Sequence, residues 1–182
     1  MLDFIRIACA VPAVRVGDTA KNAEDICAYI EKADGERADI VLFPELALTG
    51  YSCQDLFFQD TLWTGVQQGI RKIADCTKDH PNITAAVGLP VRTGMRMYNC
   101  AAVISRGKIH ALVPKTYIPN YNEFYEKRWF SSGAEVTEDV AELLGEPVPI
   151  LPRAVFRVGG TLLGVEICED MWTPLPPSTF WR

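Results

Sequence analysis

Two short apolar runs, residues 4–11 and 39–43, enclose a segment whose apolar residues recur at helical spacing. In that segment Ala20, Ala23, Ile26, Cys27, Ile30 and Ala33 fall along one face of a helix. Asp18 and Thr19 supply side-chain oxygens that cap a helix start, and Gly35 closes it. Each apolar run meets a proline, Pro12 and Pro44, which cannot donate to a strand ladder. A chain that alternates strand, helix and strand in this way is committed to an α/β architecture, with helices laid on a sheet.

The remainder of the chain extends the pattern. A second helix is expected over 61–78, stopped by Pro81 and Asn82. Strands are expected over 83–89, 98–104 and 109–113, the last two joined as a hairpin through Ser105-Arg106-Gly107-Lys108. Another pair, 155–158 and 162–167, flanks the turn signal Gly159-Gly160. Residues 116–152 read as a long functional loop with one short helix near 138–144. Most of residues 117–130 are aromatic, charged or amide, which suits a binding surface better than a linker.

Composition narrows the function classes. The formal charge is −5, and the 18 Lys and Arg residues are scattered, which argues against nucleic acid or an anionic membrane as the main partner. The start, Met1-Leu2-Asp3-Phe4-Ile5-Arg6, lacks the pattern of a signal peptide, and no apolar run approaches the ~18 residues of a membrane span. A cytoplasmic protein is expected. The six cysteines are far apart and are expected to be reduced, buried thiols. With no CxxC pair and with His80 and His110 isolated, no metal site is expected.

Three residues fall just beyond predicted strands: Glu45, Lys115 and Cys168. Taken singly, Glu45 reads as a solvated loop acid, Lys115 as a surface lysine and Cys168 as an inert thiol. As a set they fit one chemistry, because ligands gather at strand C-terminal ends and amide cleavage needs three functions. A cysteine attacks, a carboxylate carries its proton, and a fixed ammonium stabilises the oxyanion. The histidine-based alternatives are weak. His80 precedes Pro81 at a helix end, His110 lies in a strand, and neither GxSxG nor a glycine-rich phosphate loop occurs.

The segments Phe43-Pro44-Glu45-Leu46 with Thr49-Gly50-Tyr51, Pro114-Lys115-Thr116-Tyr117 and Gly164-Val165-Glu166-Ile167-Cys168-Glu169-Asp170 resemble the nitrilase (carbon–nitrogen hydrolase) superfamily. Within it, three further stretches resemble the glutamine-hydrolysing domain of glutamine-dependent NAD+ synthetases. These are Leu48-Thr49-Gly50-Tyr51-Ser52 with Asp55-Leu56-Phe57, Pro119-Asn120-Tyr121-Asn122-Glu123-Phe124-Tyr125-Glu126, and Cys168-Glu169-Asp170-Met171-Trp172. The resemblance implies an αββα sandwich, with Cys168 as nucleophile, Glu45 as general base and Lys115 as the oxyanion-stabilising cation. It implies a second active-site glutamate at Glu123, with Glu126 as the alternative. Tyr51, Tyr121, Glu169 and Trp172 would line the glutamine pocket.

The same resemblance implies L-glutamine as substrate, no cofactor for its hydrolysis, and ATP and Mg2+ only for a synthetase domain absent from this chain. The full-length form would be a homo-oligomer. Only 14 residues follow Cys168, so residues 1–182 are expected to be the N-terminal part of one hydrolase domain, incomplete at its C-terminus, with an exposed apolar edge and little glutaminase activity. The alternatives are a stand-alone amidase acting on another small amide and a non-catalytic fragment that keeps the fold.

Overall fold

Asp18 caps helix α1 (Thr19–Gly35), its carboxylate accepting the Lys21 N–H at 3.0 Å. Ala23, Ile26, Ile30 and Ala33 form the buried stripe of α1, and Leu62, Val66, Ile70 and Ile73 that of α2 (Asp60–Asp79). The computed structural model describes residues 4–143 and 145–181. The helices pack side by side on one face of a five-stranded sheet ordered β1 (Ile7–Cys9), β2 (Ile40–Leu42), β3 (Thr84–Thr93), β4 (Arg96–Ser105) and β5 (Lys108–Pro114). The first three strands run parallel, as strand–helix–strand crossovers require, and β3–β4–β5 form an antiparallel meander.

Strand β3 runs four residues beyond the expected end at Leu89, straight through Pro90. Two features allow this. Strand β2 has already ended, and Pro90's partner on β4, Asn99, turns its carbonyl toward Lys115 N–H instead of toward β3. The β4–β5 turn places Arg106 and Gly107 both at positive φ, as a type I′ hairpin needs.

The expected helix at 138–144 is instead a hairpin of β6 (Val140–Leu143) and β7 (Glu146–Pro149); Leu144 lies outside the described residues. Exposed and buried positions alternate along β6, sending Ala141 and Leu143 into the core, and Pro147 and Pro149 bar a continuing helix. Ile150 then bridges to Leu112 of β5, which seats the hairpin beside the main sheet. On the sheet face away from the helices, β8 (Val155–Val158) leads to β9 (Thr161–Gly164), which ends three residues short of the expected Ile167. Val165 and Ile167 there cover Ala101, Val103 and Val113. At the β1–β2 end of that same face Ile7 and Leu42 stay 55% and 43% exposed. No helix among the described residues is long and apolar enough to cross a membrane.

Candidate active site

Glu45 owes its place to a close backbone crossing. After β2 the chain turns through Pro44 and Leu46, the latter at φ +52°, and passes directly over Gly88 of β3. A Cβ at Gly88 would overlap Pro44 O and Leu46 N, and Leu48 N–H donates to Gly88 O at 3.1 Å. The crossing points Glu45 at the ends of β4 and β5. There its Oε1 accepts from Lys115 Nζ at 2.7 Å and from Asn99 Nδ2 at 2.6 Å.

Lys115 follows the last residue of β5, held by its own N–H to Asn99 O at 2.8 Å and by Gly133 N–H to its carbonyl at 2.7 Å. Its side chain is fully buried, and Nζ also donates to both oxygens of Glu126, at 2.9 and 3.0 Å. Burial alone would lower the ammonium pKa, but Glu45 and Glu126 outweigh it and hold the group above its ordinary value. Glu126 is 1% exposed and accepts a further bond from the Tyr51 hydroxyl at 2.7 Å. Burial pushes its carboxyl above the usual range despite Lys115 and Tyr51. Glu123, expected as the second glutamate, is exposed to solvent, and Glu126 occupies the position against Lys115. The short 3-10 turn Glu126–Arg128 causes the difference, since it rolls Glu126 inward as Phe130 packs edge-on against Phe57.

Cys168 opens a 3-10 turn, Cys168–Met171, and sits at φ +49°, a left-handed backbone that a non-glycine residue adopts only under constraint. The constraint is Asp170. Its buried carboxylate accepts from Ile167 N–H at 3.2 Å, Thr116 N–H at 3.0 Å and Tyr117 N–H at 2.8 Å. One side chain thus ties the segment leaving Lys115 to the segment entering Cys168. The thiol faces the same small cavity as Glu45. Desolvation, with Glu45's charge, raises the thiol above its ordinary value, and Lys115 opposes them. Glu45, Gly88, Ile167 and Cys168 line a cavity of about 130 Å³.

The expected pocket residues divide. Tyr121 donates to both oxygens of Glu169 at 3.0 Å, and the two border a groove of about 650 Å³ with Thr116, Lys127 and Thr173. Tyr51, itself 38% exposed, reaches the ion cluster through its hydroxyl bond to Glu126. Trp172 is 76% exposed. A surface clamp braces the site from outside: Arg128 meets Asp55 in a bidentate pair at 2.6 and 2.7 Å, and Trp129 Nε1 adds 3.0 Å. Both histidines are engaged elsewhere, His80 with Asp34 and His110 with Ser105. All six cysteines are free thiols, but only Cys53 and Cys100 are buried, contrary to the expectation for the set. Among the described residues no cluster of three or more His, Cys, Asp or Glu is placed to hold a metal ion.

The sequence motifs could yield Glu45, Lys115 and Cys168 because each follows a strand expected from the sequence. They did not reveal Asn99, Asp170 or the preference for Glu126. A signal existed for Asn99, a lone amide inside the otherwise apolar run 98–104, because a buried polar side chain demands a partner.

The chain is 40% identical over 177 residues to a glutamine-dependent NAD(+) synthetase of Xylella fastidiosa, covering 97% of this chain and 29% of that protein. It is 34% identical over 177 residues to one of Mycobacterium leprae, covering 96% of this chain and 26% of the relative. The crystal structure of a glutamine-dependent NAD(+) synthetase from Cytophaga hutchinsonii superposes with a TM-score of 0.80 at 29% identity, over 92% of this chain and 28% of that one. The chain therefore spans less than a third of the length of these relatives. The carbon-nitrogen hydrolase profile matches residues 6–178, and the chain belongs to that family.

Proposed function

We propose that this chain carries a site for hydrolysing the side-chain amide of L-glutamine through a cysteinyl thioester. In that reading it is the ammonia-releasing part of a glutamine-dependent NAD+ synthetase. The observation that carries the reading is the ion cluster of Glu45, Lys115 and Glu126, whose Glu45 lines one cavity with Cys168. A raised thiol is protonated at neutral pH, so attack needs a base at hand. Glu45 takes the Sγ proton as sulfur bonds to the amide carbon, and Lys115 stabilises the oxyanion that forms. The carboxylic acid of Glu45 then protonates the leaving nitrogen, and ammonia departs. Glu45 next draws a proton from water, whose oxygen displaces sulfur, leaving glutamate and the free thiol. The balance is glutamine plus water to glutamate plus ammonia.

Glu126 is the second glutamate in this scheme. With Tyr51 it holds Lys115 charged and aimed, without itself touching the reacting atoms. Glu169, oriented by Tyr121, offers a carboxylate to the substrate's α-ammonium at the groove. The ammonia would be consumed by ATP-dependent amidation of deamido-NAD+, chemistry for which ATP and Mg2+ would be bound by a synthetase domain. The relatives' names and the match of nearly the whole chain to part of their length support this assignment.

Mass spectrometry after exposure to a diazoketone analogue of glutamine tests the site. The expected result is a single adduct on Cys168, blocked by excess glutamine and absent in Cys168→Ala. Plain alkylation is less selective, because Cys9 is also exposed and Cys27 and Cys76 are only half-buried. An analogue that ignores Cys168, or labels it equally with and without glutamine, overturns the proposal.

A further inference from the structure

We infer that Asn99 is a positioning residue for the thiol chemistry, fixing which oxygen of Glu45 receives the Cys168 proton. The inference rests on the reading of Cys168 and Glu45 as nucleophile and base. Asn99 sits on β4 at 1% exposure, and it touches two of the site's components at once. Its carbonyl accepts the Lys115 N–H at 2.8 Å, setting the end of β5, while its Nδ2 donates to Glu45 Oε1 at 2.6 Å. Lys115 Nζ donates to that same oxygen at 2.7 Å. Two donors, one on β4 and one just past the end of β5, thus occupy Oε1 and fix the carboxylate plane, leaving Oε2 as the oxygen for the thiol.

Stability alone does not explain an amide here. The other end of the side chain, Asn99 Oδ1, is buried with no hydrogen-bond partner among the described residues. A buried, unpaired carbonyl costs stability that an apolar side chain of similar size would avoid. Leucine or valine would also suit the strand, flanked as it is by buried Tyr98 and Cys100. What the amide provides and they cannot is the N–H on Glu45. It also orients the base without adding charge. A lysine or an acid at this position would alter the electrostatics of a site where Lys115, Glu126, Cys168 and Tyr51 already surround Glu45.

The test follows Cys168 in the intact chain, with or without turnover. Iodoacetamide rate constants are measured at each cysteine by peptide mass spectrometry between pH 5 and 9, with exposed Cys9 as internal reference. Unsubstituted protein is compared with Glu45→Gln, Asn99→Ser and the isosteric Asn99→Asp. Glu45→Gln is expected to slow Cys168 but not Cys9. Asn99→Ser, with its short hydroxyl, is expected to slow Cys168 about tenfold, the scale of one hydrogen bond to a charged group. Asn99→Asp sets a second carboxyl against Glu45, so the pair shares one proton and the acidic limb of the Cys168 profile moves up by about one unit or more.

A packing role alone would change amplitude and leave that limb in place. Folded Asn99 variants whose Cys168 rate and limb match the unsubstituted protein overturn the inference, even while Glu45→Gln slows Cys168 and the proposed function stands. A Cys168 that responds to none of the three, Glu45→Gln included, overturns both. Should neither Asn99 variant fold, the side-chain amide protons of Asn99 decide by NMR. A downfield Hδ2 resonance that collapses in Glu45→Gln supports the inference, and an ordinary, unresponsive one refutes it.

Discussion

Replacing Lys115 by Met removes a charge while keeping most of the side-chain volume, and the structure sets the size of the effect. Nζ is fully buried and makes contacts of 2.7, 2.9 and 3.0 Å to two carboxylates. Without it, Glu126 keeps only the Tyr51 hydroxyl and Glu45 keeps Asn99, leaving two acids, 1% and 17% exposed, with no cation between them. Removing one partner of a buried ion pair costs about 3–5 kcal/mol. At ~2–4 °C per kcal/mol for a chain of this size, the melting temperature should fall by about 6–20 °C at pH 8.

The loss has a pH signature. Burial already holds the Glu126 carboxyl above its usual range in the folded state, and losing Lys115 raises it further. A carboxyl raised on folding binds its proton more tightly when folded. Its contribution to stability is therefore full below the unfolded value near 4.5 and is lost as pH rises through the folded value. Lys115→Met should thus approach the parent at pH 5 and fall away toward pH 8, and adding Glu126→Gln should recover part of the deficit at pH 8. Circular-dichroism melts of the three proteins measure this. A Lys115→Met protein that melts within about 2 °C of the parent at pH 8, or shows the same deficit at both pH values, would refute the buried-pair reasoning.

Gly88→Ala should force the Glu45 turn off β3, costing about 1–3 kcal/mol by overpacking and slowing analogue labelling of Cys168 by about 10²-fold; chemical denaturation and labelling kinetics report the two effects separately. Asp170→Ala leaves the amides of Thr116, Tyr117 and Ile167 without their acceptor and should cost about 2–3 kcal/mol, read from denaturation midpoints. His80 is held above its ordinary value chiefly by its hydrogen bond to Asp34. That contribution is full below the unfolded value near 6.5 and is lost as pH rises through the folded one. His80→Gln should therefore cost about 0.5–1 kcal/mol at pH 5.5 and less at pH 8.5, as paired melts would show.

The parts of the fold governed by periodicity were legible in the sequence. Helix α1 begins and ends where its cap and glycine put it, because a 3.6-residue apolar repeat with Asp18 before it has few other uses. The 138–144 segment misled because Val140-Ala141-Glu142-Leu143 is too short to separate a period of two from one of 3.6. The decisive information lay just downstream in Pro147 and Pro149. Glu123 and Glu126 lie in a stretch with no period at all. Which of them turns inward depends on long-range contacts between Phe130 and Phe57 and between Arg128 and Asp55, residues more than seventy positions apart in the chain.

The three strand-end residues converge because main chain, more than apolar packing, fixes their spacing. Gly88 lets the Glu45 turn ride against the sheet, Gly133 lets a second turn reach the Lys115 carbonyl, and Asp170 bonds the Cys168 turn to the residues after Lys115. Main-chain contacts of this kind have few alternative arrangements, whereas side chains at a strand end would otherwise be free to reorient. The same logic makes placement, not ionisation, the guide to the proposed nucleophile. Cys76 donates to the Cys27 carbonyl between α1 and α2, away from the cavity that Cys168 shares with Glu45. Cys168 is held protonated, next to a carboxylate whose other oxygen is saturated and a lysine that is already charged and fixed. In such a site the carboxylate takes the proton as sulfur attacks carbon, so the reactivity proposed for Cys168 depends on where Glu45 is held rather than on a thiolate present beforehand.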